Sequence, residues 1–250
     1  MRALITGGTH GIGAAIAKNL LIQGSRVILI GRSIEKYNAF AKELSPEELS
    51  RVVFLQGNVR DDAVYDKTDA VLKEWDGVDY LVNNVGGGGR WGSPDPVEAP
   101  LSLWGEVMDT NVAPAIDLMR RVLPYIEKKS FGRIVSIASI YGKESPEGGR
   151  PWFITAKASL IAIMKSMSKT RKYTEKGITF NTISPGPLMI EDTGWAKVPK
   201  ESIQMFIRDH IPSGFIAGTE DVVKAFNFIV DSPYVNGANI VVDGGMSNSY

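Results

Sequence analysis

Short runs rich in Val, Ile and Leu recur at residues 2–5, 26–30, 52–55, 80–82, 133–138, 179–183 and 239–242. Each run is nearly continuous rather than alternating, the pattern of a strand covered on both faces. Between them, apolar positions fall at three- and four-residue spacing and predict helices over 13–23, 64–75, 104–128, 153–173 and 221–230. Strand and helix alternate from end to end without a linker. The expectation is one α/β domain over residues 1–250, a doubly wound seven-stranded parallel sheet with helices on both faces. Two stretches break the rhythm: the glycine- and proline-rich VGGGGRWGSPDPVEAP at 85–100 and the long segment at 185–219. Both follow strands, and ligands of open parallel sheets bind beyond the carboxyl ends of the strands.

Composition removes several functions. Lys plus Arg and Asp plus Glu are both 28, so the formal net charge is zero and no basic field exists to collect a nucleic-acid backbone. The absence of cysteine excludes disulfide scaffolds, thiolate metal sites and thiol nucleophiles. The two histidines, His10 and His210, have no ligand spacing around them, so no metal site is expected. No apolar run approaches the roughly 20 residues of a membrane helix, and the chain reads as soluble and cytoplasmic with neither nucleic-acid nor membrane partners.

Thr6-Gly7-Gly8-Thr9-His10-Gly11-Ile12-Gly13 follows the first strand and opens the first helix. Glycines there allow a tight turn and close backbone approach to a pyrophosphate, while the helix N-terminus supplies free N–H groups. This is a Rossmann-type dinucleotide site. The second strand ends in Gly31-Arg32-Ser33, with no Asp or Glu in the place that favours NAD. A guanidinium suits a 2′-phosphate, so NADP(H) is expected and NAD(H) is less favoured.

With these residues in hand, the chain resembles the short-chain dehydrogenase/reductase family, in the subgroup of β-ketoacyl-carrier-protein reductases. Thr6 to Gly13 is similar to TGxxxGxG, Asn83-Asn84-Val85-Gly86 to NNAG, and Asn111 to the helix asparagine of the catalytic tetrad. Ser139 stands where the family serine ends the fifth strand, and Pro185-Gly186 and Val242-Asp243-Gly244-Gly245 match two further signatures. The resemblance implies a nucleotide-binding set of Gly7, Thr9, His10, Gly11, Ile12, Gly13, Arg32, Ser33, Asn58, Val59, Asn84, Gly86, Lys157, Pro185, Gly186 and Leu188. It also implies a catalytic set of Asn111, Ser139, Phe153 and Lys157.

The family's YxxxK appears here as Phe153-Ile154-Thr155-Ala156-Lys157. The i, i+4 spacing puts both ends on one helix face. Phenylalanine keeps the ring and loses the proton that a general acid would supply, normally worth about 10² to 10⁴ in rate. Three readings stay open: an engineered Tyr-to-Phe change in an NADP(H)-dependent carbonyl reductase or alcohol dehydrogenase, a natural enzyme using another acid such as Tyr141 or Thr155, and a natural protein that binds or senses cofactor or ligand without turnover.

The substrate, a small carbonyl or alcohol, is expected over the nicotinamide among Tyr141, Trp152 and Trp195 with Trp91, and Arg90, Lys143, Glu144 and Arg150 could meet a polar group. Residues 187–217 resemble the family's substrate lid. Apolar positions on more than one face of the 153–173 helix, together with the way family relatives pair, predict a homotetramer or homodimer.

Overall fold

The computed structural model describes residues 1–89, 91–146, 148–191 and 194–248. Seven strands, β1 (Arg2–Thr6), β2 (Arg26–Gly31), β3 (Val52–Gln56), β4 (Tyr80–Asn83), β5 (Gly132–Ile137), β6 (Ile178–Pro185) and β7 (Asn239–Val242), form one sheet in the order β3-β2-β1-β4-β5-β6-β7. Every pairing is parallel. Strands β4, β5 and β6 are buried at every position, whereas the edge strands β3 and β7 are largely half-buried. The continuous apolar runs therefore mark the centre of the sheet, because only there do helices cover both faces.

One face carries α1 (Gly11–Ile22), α2 (Ile34–Lys42) and α10 (Thr219–Asp231), whose Ile16, Leu20, Phe40 and Phe226 pack with Ile5, Leu29 and Val82. The other carries α4 (Asp62–Glu74), α6 (Ala113–Lys129) and α7 (Pro151–Met167), whose Leu72, Val122 and Met164 pack with Leu4, Ile28 and Phe180. Short helices α3 (Pro46–Leu49) and α8 (Arg171–Thr174) turn the chain, and α9 (Lys200–His210) lies in the expected lid segment with no buried residue.

Two predicted helices differ from the pattern. The helix expected over 104–128 is two: α5 (Leu101–Asn111) and α6, which meet at Val112. Pro114 has no N–H to donate to the carbonyl four residues back, so the ladder is interrupted where two apolar-periodic stretches meet. The helix expected over 153–173 starts at Pro151 and ends at Met167. Past its end the backbone tightens to Lys169 N–Ser166 O at 3.1 Å and Thr170 N–Met167 O at 3.0 Å, and the Ser168 carbonyl accepts from Asn236 Nδ2 at 3.1 Å instead of from a next helical turn.

Candidate functional site

Strand order reverses between β1 and β4, leaving a crevice at their carboxyl ends. Thr6 closes its floor: Oγ1 accepts from Asn84 N at 2.9 Å and Val85 N at 3.0 Å, and Asn84 Nδ2 donates to Thr6 O at 2.9 Å. Helix α1 opens on the crevice with His10 as N-cap, whose side chain makes no capping bond. The first-turn amides thus keep their unused donors and the positive end of the helix. Gly13 permits the turn, since a Cβ there would lie 2.4 Å from Gly7 O and 2.6 Å from Asn84 Nδ2.

A cleft of about 510 Å³ runs from this turn across the ends of β2 and β3. Gly7, Thr9, His10, Arg32, Ser33, Asn58, Val59, Asn84 and Gly86 line it. So do Lys36 and Arg60, which sequence reasoning missed. A usable signal existed, because β2 and β3 pair in parallel and Gly31 sits opposite Gln56, so the residues just after both strands reach the same place. Three cations therefore gather at one end. Ser33, while lining the cleft, also caps α2, accepting from Lys36 N at 3.1 Å and donating to Glu35 Oε2 at 2.7 Å. The Ser33 hydroxyl, and after it the Glu35 backbone N–H, hold the Glu35 carboxyl below its ordinary pKa. Glu35 lines a separate groove with Gly11.

Sharing Asn84, Gly86, Gly87 and Trp91 with this cleft, a second cavity of about 430 Å³ lies at the ends of β4, β5 and β6. Ile12, Ser139, Phe153, Lys157, Pro185 and Gly186 come together there. Lys157 is 5% exposed, its Nζ donates to Ile137 O at 3.2 Å, and burial lowers its pKa to about 8. Nζ stands 5.6 Å from the centre of the Phe153 ring. The four-glycine run is what lets the backbone pass so close, since a Cβ on Gly86 would lie 2.6 Å from Asn111 Oδ1 and 2.7 Å from Lys157 Nζ. Asn111 holds this run in place: Nδ2 donates to Gly87 O at 2.9 Å and to Val107 O at 2.8 Å, and Oδ1 accepts from Gly87 N at 3.2 Å.

Other expected residues lie elsewhere. Trp152 is no part of a substrate wall. It is fully buried, packs edge-on against Trp104 at 5.9 Å, and donates Nε1 to Gly88 O at 3.2 Å. As neighbours of Phe153 on α7, Trp152 and Phe153 point to different sides of the helix, so only one can face the cavity. Tyr141 lines a smaller cavity of about 190 Å³ with Glu144, Ser145, His210 and Ser247. Trp195 packs against Phe206 of α9 with ring centres 4.6 Å apart and planes tilted by 47°. Gly13 is interior, and the Leu188 side chain packs in the core rather than against the cleft. Thr155 is exposed on the outer side of α7, and Arg90 lies outside the described residues.

A family described as enoyl-(acyl carrier protein) reductase matches residues 7–247. The chain belongs to the short-chain dehydrogenase/reductase family. A 3-oxoacyl-(acyl-carrier-protein) reductase of Chlamydia trachomatis is 31% identical over 251 residues, covering 98% of this chain and 96% of the relative. The structure of L-sorbose reductase from Gluconobacter frateurii, complexed with NADPH and L-sorbose, superposes with a TM-score of 0.87 at 26% identity, covering 100% of this chain and 97% of the other. ElxO, in a tyrosine-to-phenylalanine variant with NADPH bound, superposes with a TM-score of 0.85 at 26% identity over 99% of both chains. Members of this oxidoreductase family act on small molecules, and among the described residues no helix is long and apolar enough to cross a membrane.

Proposed function

We propose that the protein is an NADP(H)-dependent carbonyl reductase or alcohol dehydrogenase whose turnover is limited by Phe153. The observation that carries this reading is the junction of the two cavities: Ser139 and Lys157 line one that shares Asn84, Gly86, Gly87 and Trp91 with a cleft suited to a dinucleotide. The residues fit NADP(H): the first-turn amides of α1, left without a side-chain cap, offer donors to a pyrophosphate, and Arg32, Lys36 and Arg60 line the end where a 2′-phosphate would lie. The relatives carry names that fit the same cofactor and a carbonyl substrate, ranging from a 3-oxoacyl group to L-sorbose.

When bound, the nicotinamide supplies or accepts the hydride. Ser139 holds the substrate oxygen by its hydroxyl, and Lys157 holds the nicotinamide ribose. Asn111 acts by fixing the glycine run that forms the wall, and Pro185, Gly186 and Ile12 close the opposite side. Phe153 contributes an apolar face but no proton, so protonation of the substrate oxygen falls to Lys157 and to water. Residues 187–217 serve as the lid, and among the described ones Trp195 packs against Phe206 of α9. The assembly is a cytoplasmic homotetramer paired through α5, α6 and α7.

Fluorescence titration should give micromolar NADPH affinity, and absence of binding would end this reading. The specific alternative, a protein that binds nucleotide or ligand without turning it over, is favoured by the way Phe153 is seated, its ring 3.3 Å from where a Gly89 Cβ would lie. If Phe153→Tyr gains less than about tenfold in NADPH oxidation across a panel of carbonyl compounds, the alternative holds.

A further inference from the structure

Lys157 is the one ionisable side chain among the described residues that line the inner cavity. Its Nζ donates to a backbone carbonyl, and the groups around it are Ser139, the Phe153 ring and the glycine run. No carboxylate or phenol among the described lining residues holds it as an ammonium. From this geometry we infer that, in the nucleotide-free chain, Lys157 is an amine nucleophile that captures aldehydes and unhindered ketones as an imine.

The arrangement supplies what such a capture requires. A desolvated lysine in an apolar pocket keeps a free lone pair, and burial bringing its pKa to about 8 leaves about a tenth of it neutral at pH 7. An exposed lysine of pKa about 10.4 is neutral to only about 0.04%. The nitrogen lone pair attacks the carbonyl carbon, and the C=O pair moves to oxygen. That oxygen takes a proton through the Ser139 hydroxyl, which is replenished from solvent. The ammonium nitrogen of the adduct returns one proton to solvent, giving the neutral carbinolamine, whose hydroxyl then leaves as water with the second nitrogen proton, giving the imine. No oxidation or reduction occurs, and hydrolysis returns amine and carbonyl. Phe153 is part of the device, because it faces the amine with a ring that cannot ionise.

The test uses the full-length chain without nucleotide, so its outcome is independent of the oxidoreductase reading. The chain is incubated with propanal and sodium cyanoborohydride at pH 7, which reduces any imine to a stable secondary amine, and labelled lysines are located by peptide mass spectrometry. Lys157 is expected to be labelled at least about tenfold faster than the exposed Lys67 and Lys169, with a rate that climbs to a plateau above pH 8. Phe153→Tyr, which sets an ionisable oxygen beside the amine, should slow labelling of Lys157 severalfold while leaving Lys67 and Lys169 unchanged. Labelling of Lys157 no faster than those two exposed lysines, in wild type checked as folded by circular dichroism, overturns the proposal.

Discussion

The two ends of the cleft are built on opposite plans. The end beyond β2 and β3 is polar and redundant, with three cations, a helix N-terminus and exposed amides converging on one volume. The end beyond β5 and β6 is spare: glycine backbone, a hydroxyl, one buried amine and an aromatic ring. Anion binding spreads over many donors, so losing one leaves most of the affinity. Proton transfer depends on a single group at a single position, so one missing oxygen changes what the protein does.

The sharpest way to probe this contrast is Phe153→Tyr, which is expected to raise kcat for carbonyl reduction by about 10² to 10⁴ while moving NADPH affinity less than about threefold. Steady-state kinetics and a binding titration separate the two numbers. A large affinity change would mean that the two ends are not independent.

Lys157→Met probes the cost of the buried amine. The unfolded chain holds a proton on Lys157 up to its ordinary pKa of 10.5, while the folded chain gives it up near 8. Folded stability therefore rises with pH between those values, because the unfolded state binds more protons there. Relative to Lys157→Met, wild type should gain on the order of 3 kcal/mol between pH 8 and 10.5 in denaturant melts. A pH-independent difference would place Lys157 in water.

At the polar end the expected effects are smaller. Arg32→Ala should weaken NADPH by about tenfold and NADH by less than about twofold, read by parallel titrations; equal loss would show that the guanidinium does not face the phosphate. Arg60→Ala should give a partial version of the same selectivity. Ser33→Ala removes a helix cap and should cost about 1 kcal/mol of stability, a few degrees in Tm, with little effect on nucleotide selectivity.

The difference between the ends also explains what could be read from sequence. Glycines before a helix and a continuous apolar strand are local signals, so β1, the turn at Gly7 to Gly13 and Arg32 were legible as they stand. Ser139, Lys157 and Asn111 are ordinary residues by themselves and were found through the order of motifs. What failed were features decided by side-chain direction or by distant partners. Trp152 sits next to Phe153 in sequence yet faces the α5–α7 core. The break at Val112 came from a proline hidden in an apolar-periodic stretch, and past α7 the C-cap carbonyl of Ser168 is taken up by Asn236, 68 residues away. Lys36 and Arg60 reach the cleft only because the sheet brings their strand ends together.

The bonds from Asn111 to Gly87 bear on motion. They join the wall of the inner cavity to the last residue of α5, and a third bond from the same amide runs to Val107 within that helix. Gly87 is therefore tied to the end of α5 and cannot move apart from it without breaking these bonds. Widening the cavity at Gly87 is expected to carry the end of α5 with it, a collective motion of the microsecond to millisecond class. Bulky ligands should enter at a rate set by that helix end, whatever their affinity.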